Sequence, residues 1–229
     1  MKQIYVNGCS FTKDIYVSQV LGDKLYSDYL SEHYGIPVIN RGMPGSCNRR
    51  IIRTTARDCL SLDKDTFVIV QLTFLQRFQV STDSNVWQVS ENFDPGQEEI
   101  LRSVKLNDPS NTKQVSDYIN SVIRNFSEES LFEELILDVL LLTQLLKNKG
   151  INYIIYSHPQ LINIVNNNNT FYRTLSKDCG VVDLAKSVAH MFNKIEYYYD
   201  DLFEHFNQNG HYENAQYLID LIDSTNKRN

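Results

Sequence analysis

The run Thr66-Phe-Val-Ile-Val-Gln-Leu72 limits the fold of this chain more than any other segment. Side chains of a strand alternate between its two faces, so a strand can be apolar throughout only if both faces are buried. Strands of that kind lie inside parallel sheets covered by helices on both sides. Shorter runs of the same character are Ile4–Val6, Pro37–Asn40, Ile151–Tyr156 and Gly180–Asp183. Helical rhythms separate them. Asp23 to Tyr34 places Leu25, Tyr26, Tyr29 and Leu30 on one side and stops at Gly35. Ser46 is a credible N-cap for a helix through Cys59. Ser127 caps a long apolar helix that ends at Lys149-Gly150, and a shorter helix is expected near Ala185 to Asn193. The last helix spans about Gly210 to Ile222. Strands alternating with helices predict a three-layer α/β/α sandwich around a central, mostly parallel five-stranded sheet.

One segment breaks the rhythm. Phe74 to Phe126 is polar and irregular, carries Trp87, Asp94-Pro-Gly96 and Asp108-Pro-Ser110, and offers one short helix near Val115 to Arg124. It reads as an insertion at about 74–126 in a single domain covering 1–229, serving as a lid, a partner surface or a family-specific decoration. The chain's 229 residues are ample for one large core.

Charge and cysteines narrow the partners. A net charge of −6 argues against nucleic acid or an anionic membrane as partner. The one basic cluster, Arg49, Arg50, Arg53 and Arg57, reads mainly as a solvated helix face. No signal peptide is recognisable at the N-terminus, and the apolar run Leu135 to Leu146 is interrupted and too short to cross a bilayer. Cys9, Cys47, Cys59 and Cys179 lack metal-ligand spacing, so neither metal nor cofactor is expected. They read as reduced thiols of a cytoplasmic protein. Cys9 competes weakly with Ser10 as a nucleophile, since alternation points it to the opposite side.

Ligands of open parallel sheets gather at the carboxyl ends of the strands. Ser10 follows the first strand, the Gly42–Ser46 turn the second, and Thr73 the third. His205 precedes the last helix, with Asp200 and Asp201 just before it. A serine hydroxyl becomes a competent nucleophile when an imidazole takes its proton and a carboxylate orients that imidazole. Glycine-rich turns can supply backbone N–H groups to the developing oxyanion.

These segments resemble the blocks of the SGNH, or GDSL-like, hydrolases. Asn7-Gly-Cys-Ser10-Phe-Thr is similar to the nucleophile block, with Asn-Gly-Cys where Gly-Asp is usual. Asn40-Arg-Gly42-Met-Pro-Gly45-Ser46 resembles the second block, whose later glycine gives its N–H to the oxyanion. His205-Phe-Asn-Gln-Asn-Gly-His211 resembles the last block, with His205 in the catalytic position. The Gly-Cys-Ser-Phe-Thr start with Asn-Arg-Gly-Met-Pro-Gly-Ser-Cys-Asn is closest in kind to SGNH-like proteins of phage and bacterial genomes. The resemblance implies a flavodoxin-like SGNH fold and a serine esterase acting on a small acyl ester, such as an O-acetyl group on a carbohydrate. It implies Ser10 as nucleophile, His205 as base and Asp201 as orienting acid. Oxyanion donors would be Ser10, Gly45 and Thr73.

Two departures stand out. Thr73 occupies the place of the third-block Asn, and a hydroxyl has a shorter reach than a carboxamide. Arg77, four residues on, is a candidate charged donor or substrate-binding residue, together with Asn48 and His158. The acid is displaced as well. The pattern Asp-x-x-His would put Asp at position 202, where Leu202 stands; Asp201 is preferred over Asp200, and a dyad without acid remains open. Alternatives are therefore an O-acyltransferase using the same site, or a weakly active or inactive binding protein of the same fold. Phosphate binding at the Gly42–Ser46 turn ranks below both, since no P-loop ending follows. The acyl group, the alcohol and the oligomeric state are not legible.

Overall fold

The computed structural model describes residues 1–13, 16–73, 75, 77–81, 86–89, 121, 128–157 and 205–226. Its central sheet contains β1 (Gln3–Asn7), β2 (Val38–Asn40), β3 (Thr66–Leu72) and β6 (Asn152–Ser157) in the order β2-β1-β3-β6. All three pairings are parallel, with Val6 opposite Asn40, Asn7 opposite Val70 and Leu72 opposite Ser157.

Alternation along these strands builds two cores. Ile4, Val6, Phe67, Ile69, Ile154 and Tyr156 face one side, against α1 (Tyr26–Tyr34) and α4 (Gln208–Asn226). Tyr5, Val68, Val70, Leu72 and Ile155 face the other, against α2 (Asn48–Cys59) and α3 (Glu128–Asn148). Every residue of β3 is buried, as its unbroken apolar run requires. Each fully buried Val, Leu, Ile or Phe contributes about 1.5–3 kcal/mol relative to exposure. The chain is thus an α/β sandwich with helices on both faces of a parallel sheet. The predicted fifth strand, Gly180–Asp183, and the helix near Ala185 to Asn193 lie outside the described residues, as does the Ser127 cap.

The path through the sheet fixes where ligands can gather. The chain moves outward from β1 to β2, then returns across β1 to β3 and β6. Connections therefore diverge between β1 and β3, the kind of switch point at whose carboxyl edge open α/β sheets bind ligands. Ser10 and Thr73 both follow the strands that flank this switch point.

Helix ends obey local chemistry. Asp28 Oδ2 accepts a 2.8 Å hydrogen bond from the Leu25 N–H at the start of α1, and Gly35 ends that helix at φ 63°. At the end of α3 the Ile151 N–H reaches the Leu146 carbonyl and the Gly150 N–H the Lys147 carbonyl, a Schellman pair with Gly150 at φ 65°. Lys149 Nζ donates to the Cys59 and Leu60 carbonyls, closing α2 as well.

Two expectations are corrected. Cys47, not Ser46, is the N-cap of α2, and its side chain makes no capping bond. The Ser46 hydroxyl instead donates to the Met43 carbonyl within the preceding turn, so its proton serves the turn and the helix starts one residue later. The 74–126 segment is not irregular throughout. β4 (Phe78–Ser81) and β5 (Val86–Val89) form an antiparallel hairpin, with Val80 opposite Trp87. Alternation of apolar and polar residues in Phe-Gln-Val-Ser and the β-prone Val-Trp-Gln-Val carry that signal. The helix expected near Val115 to Arg124 lies outside the described residues apart from Ser121. Among the described residues no helix is long and apolar enough to cross a membrane.

Candidate active site

The turn after β1 is tightly constrained. Asn7 is fully buried; its Oδ1 accepts from the Gly8 N–H at 2.9 Å, and its Nδ2 reaches Thr54 Oγ1 at 2.8 Å and Thr55 Oγ1 at 2.9 Å on α2. Those hydroxyls donate in turn to helix carbonyls. Gly8 has no room for a side chain: a Cβ there would run into Thr12 Oγ1 and stand 2.9 Å from Gln71 Cβ. Thr12 lies over it, donating to Gln71 Oε1 at 2.6 Å and accepting from Tyr26 at 3.3 Å. The Thr12 and Lys13 N–H groups close back on the Cys9 carbonyl. Burial pushes Tyr26 up to about 12 and Tyr156, hydrogen-bonded to it, well above the ordinary tyrosine range.

Ser10 sits at the tip of this turn, with only 5% of its surface exposed. Its Oγ is 2.8 Å from Nε2 of His205, a contact that joins positions 195 residues apart. His205 lies just before α4. Its ring meets Phe11 edge-on, with centroids 5.4 Å apart, and Phe11 in turn meets Phe206 at 5.2 Å. Both phenylalanines are buried. His211 is one turn into α4, stacked on Tyr26 at 6.4 Å. Of the two histidines, His205 is the one that meets Ser10. Asp200, Asp201 and His158 lie outside the described residues.

The second loop is a turn from Met43 to Ser46, in which the Ser46 N–H bonds to the Met43 carbonyl at 3.2 Å. Pro44 followed by Gly45 at φ 73° gives it the type II form, which needs a residue free to adopt positive φ. That bond uses the N–H of Ser46 and leaves the N–H of Gly45 outside it. Asn40 fastens the loop to the first: its Nδ2 donates to the Thr12 carbonyl at 2.8 Å and its Oδ1 accepts from the Gly42 N–H. Arg50 Nη1 donates to Ser46 Oγ at 2.9 Å.

The third loop is held from α2. Asn48 Oδ1 accepts from the Thr73 N–H at 2.7 Å, and its Nδ2 donates to the Thr73 carbonyl at 3.0 Å. Asn48 thereby grips the backbone of Thr73 on both sides. The Thr73 hydroxyl, fully buried, accepts from Arg77 Nη1 at 3.0 Å. The Arg77 guanidinium also reaches the Cys9 thiol, and burial lowers its proton affinity. Burial pushes the neighbouring Cys47 thiol up.

The strand ends and α2 therefore bring Ser10, Gly45, Asn48, Thr73 and Arg77 into one neighbourhood, and α4 brings His205 to Ser10. Sequence reasoning missed the support beneath them: Asn7, Thr12, Gln71 and Tyr26. Gln71 was the available signal, a single amide within the apolar run of β3. Among the described residues no cluster of three or more His, Cys, Asp or Glu side chains could hold a metal ion.

No family model matches this sequence, and no curated protein does. Solved structures do. One is from Desulfitobacterium hafniense DCB-2, described as a lipolytic protein of the G-D-S-L family; it is 11% identical over 95% of this chain and 98% of its own, with a TM-score of 0.53. Another, a member of the lipolytic protein G-D-S-L family from Veillonella parvula DSM 2008, is 10% identical over 96% of this chain and 97% of its own, with a TM-score of 0.55. The fold is GDSL-like. At such low identity only the fold carries across, so the chemistry of this chain has to be argued from its own side chains.

Proposed function

We propose that this protein is a serine esterase that cleaves a small acyl ester, with Ser10 as nucleophile and His205 as general base. The observation that carries the reading is the 2.8 Å contact between His205 Nε2 and Ser10 Oγ at the switch point of the sheet. His205 takes the hydroxyl proton as Ser10 Oγ attacks the acyl carbonyl. The carbonyl oxygen gains negative charge, for which the N–H groups of Ser10 and Gly45 and the hydroxyl of Thr73 are the donors. His205 then protonates the departing alcohol. Water, deprotonated by His205, attacks the acyl-enzyme, releases the acid and returns the proton to Ser10. Asp201 is assigned the orienting role on its place in the sequence. An O-acetyl ester on a carbohydrate is the preferred substrate class, since a buried nucleophile suits a short acyl group. Reaction of the acyl-enzyme with a second hydroxyl in place of water would make the same site an acyltransferase.

Turnover of p-nitrophenyl acetate and labelling by a fluorophosphonate probe test the reading. Ser10→Ala should abolish labelling and lower turnover by ~10³-fold or more, and His205→Ala should act comparably. A wild-type protein that neither labels nor turns over ester would instead be a GDSL-fold binding protein, the reading favoured by Thr73 standing where the resemblance expects a carboxamide.

A further inference from the structure

Thr73 is an unusual oxyanion donor because a hydroxyl rotates, accepting as readily as it donates. Its backbone is already fixed by Asn48. What remains to be set is the direction of one proton. Arg77 Nη1 donates to Thr73 Oγ1 at 3.0 Å, and a guanidinium has no lone pair to accept in return. The Thr73 proton must therefore turn away from Arg77. The charge-assisted bond also polarises the hydroxyl and makes it a stronger donor. The same guanidinium reaches Cys9, the residue before Ser10, so one side chain touches both loops of the switch point. The pairing of Asn7 with Val70 puts Ser10 and Thr73, each three residues further on, at the same edge of the sheet.

We propose that Arg77 is a positioning residue that acts through Thr73, turning its hydroxyl into a fixed donor to the oxyanion formed at Ser10. The inference rests on the esterase reading above. In place of a carboxamide, the site uses a hydroxyl aimed by a half-buried cation. A direct substrate-binding role for Arg77 would be different: it would act on ground-state affinity, whereas a donor that serves the transition state acts on kcat.

The test is a double-mutant cycle read as kcat and KM on p-nitrophenyl acetate, with thermal melting of each variant. Thr73→Val keeps the shape and removes the hydroxyl; it should lower kcat on the order of 100-fold with little change in KM. Arg77→Ala should lower kcat by ~10-fold or more, Arg77→Lys should recover part of that loss, and the double variant should be no slower than Thr73→Val alone. Thr73→Ser, which keeps the hydroxyl, should retain most activity and separate lost chemistry from lost folding. Independent, multiplying losses in the double variant would overturn the relay, and so would a rise in KM at unchanged kcat for Arg77→Ala. An Arg77→Ala protein as fast as wild type would remove this role alone. A wild type that fails to label at Ser10 would remove the esterase reading and this role with it.

Discussion

Two loops flank the switch point, and they are built in opposite ways. The loop after β1 is held by its own side chains: Asn7 reaches out to α2, Gly8 makes room, and Thr12 folds back over it onto Gln71. The loop after β3 is held by a neighbour, since Asn48 extends from α2 to grip the Thr73 backbone. In the first loop the anchors are buried polar groups beneath Ser10, so disturbing them disturbs the fold. In the second, the anchor lies outside the loop, and the Thr73 side chain is left to Arg77. Changes in the first loop should therefore register mainly in stability, and changes in the second in chemistry as well.

The largest effect is expected at Gly8. Gly8→Ala drives a methyl group into Thr12 Oγ1 and against Gln71 Cβ and Oε1. Overpacking of this kind costs about 1–3 kcal/mol and sometimes more, and here it also displaces Ser10. Urea denaturation should show the loss, together with failure of phosphonate labelling. Asn7→Ala comes next, leaving the Gly8 N–H without its 2.9 Å acceptor and removing the tie to Thr54 and Thr55. Leaving buried groups unsatisfied costs about 1–3 kcal/mol for each. If either variant melts like wild type, the first loop is not the rigid one.

Asn48→Ala tests the second loop, where activity should suffer along with stability. It releases the Thr73 backbone, so kcat should fall ~10-fold, and the buried Thr73 N–H and carbonyl lose their partners at about 1–3 kcal/mol for each. Placing Asn48 on the substrate side, as its sequence position suggested, predicts a change in KM instead. The two outcomes distinguish an anchor from a binding group.

How much of this was legible in the sequence follows from where each signal resides. β3 declared itself because burial on both faces leaves an unbroken apolar run, and Gly35 and Gly150 marked helix ends because positive φ favours glycine. The Ser10 and His205 segments could be matched because their residue types recur in local blocks. Ser46 misled because a serine before a helix can bond either forward to the helix or back to its own turn, and only the type II turn decides which. The Asn48–Thr73 grip and the Tyr26–Thr12–Gln71 chain were invisible for a different reason. Each joins positions far apart in sequence, and no spacing rule links a helix carboxamide to a loop backbone 25 residues on.

The smallest effect at neutral pH, and the most specific, belongs to Tyr26. Its hydroxyl donates to Thr12 beneath Ser10, and Tyr26→Phe should cost only about 1 kcal/mol at pH 7. The difference emerges in alkali. In the unfolded chain a tyrosine releases its proton near pH 10, whereas burial holds the folded Tyr26 proton up to about 12. Between these values the folded state binds more protons, so stability falls as pH rises from about 10 to 12. Phenylalanine has no proton to release, so the variant should lose stability less steeply over that window, by at most one proton's worth of slope. Its deficit against wild type should shrink as pH climbs. Urea midpoints at pH 7, 9, 10 and 11 would measure it, and parallel curves for the two proteins would mean that the polar chain under Ser10 does not hold its protons against alkali.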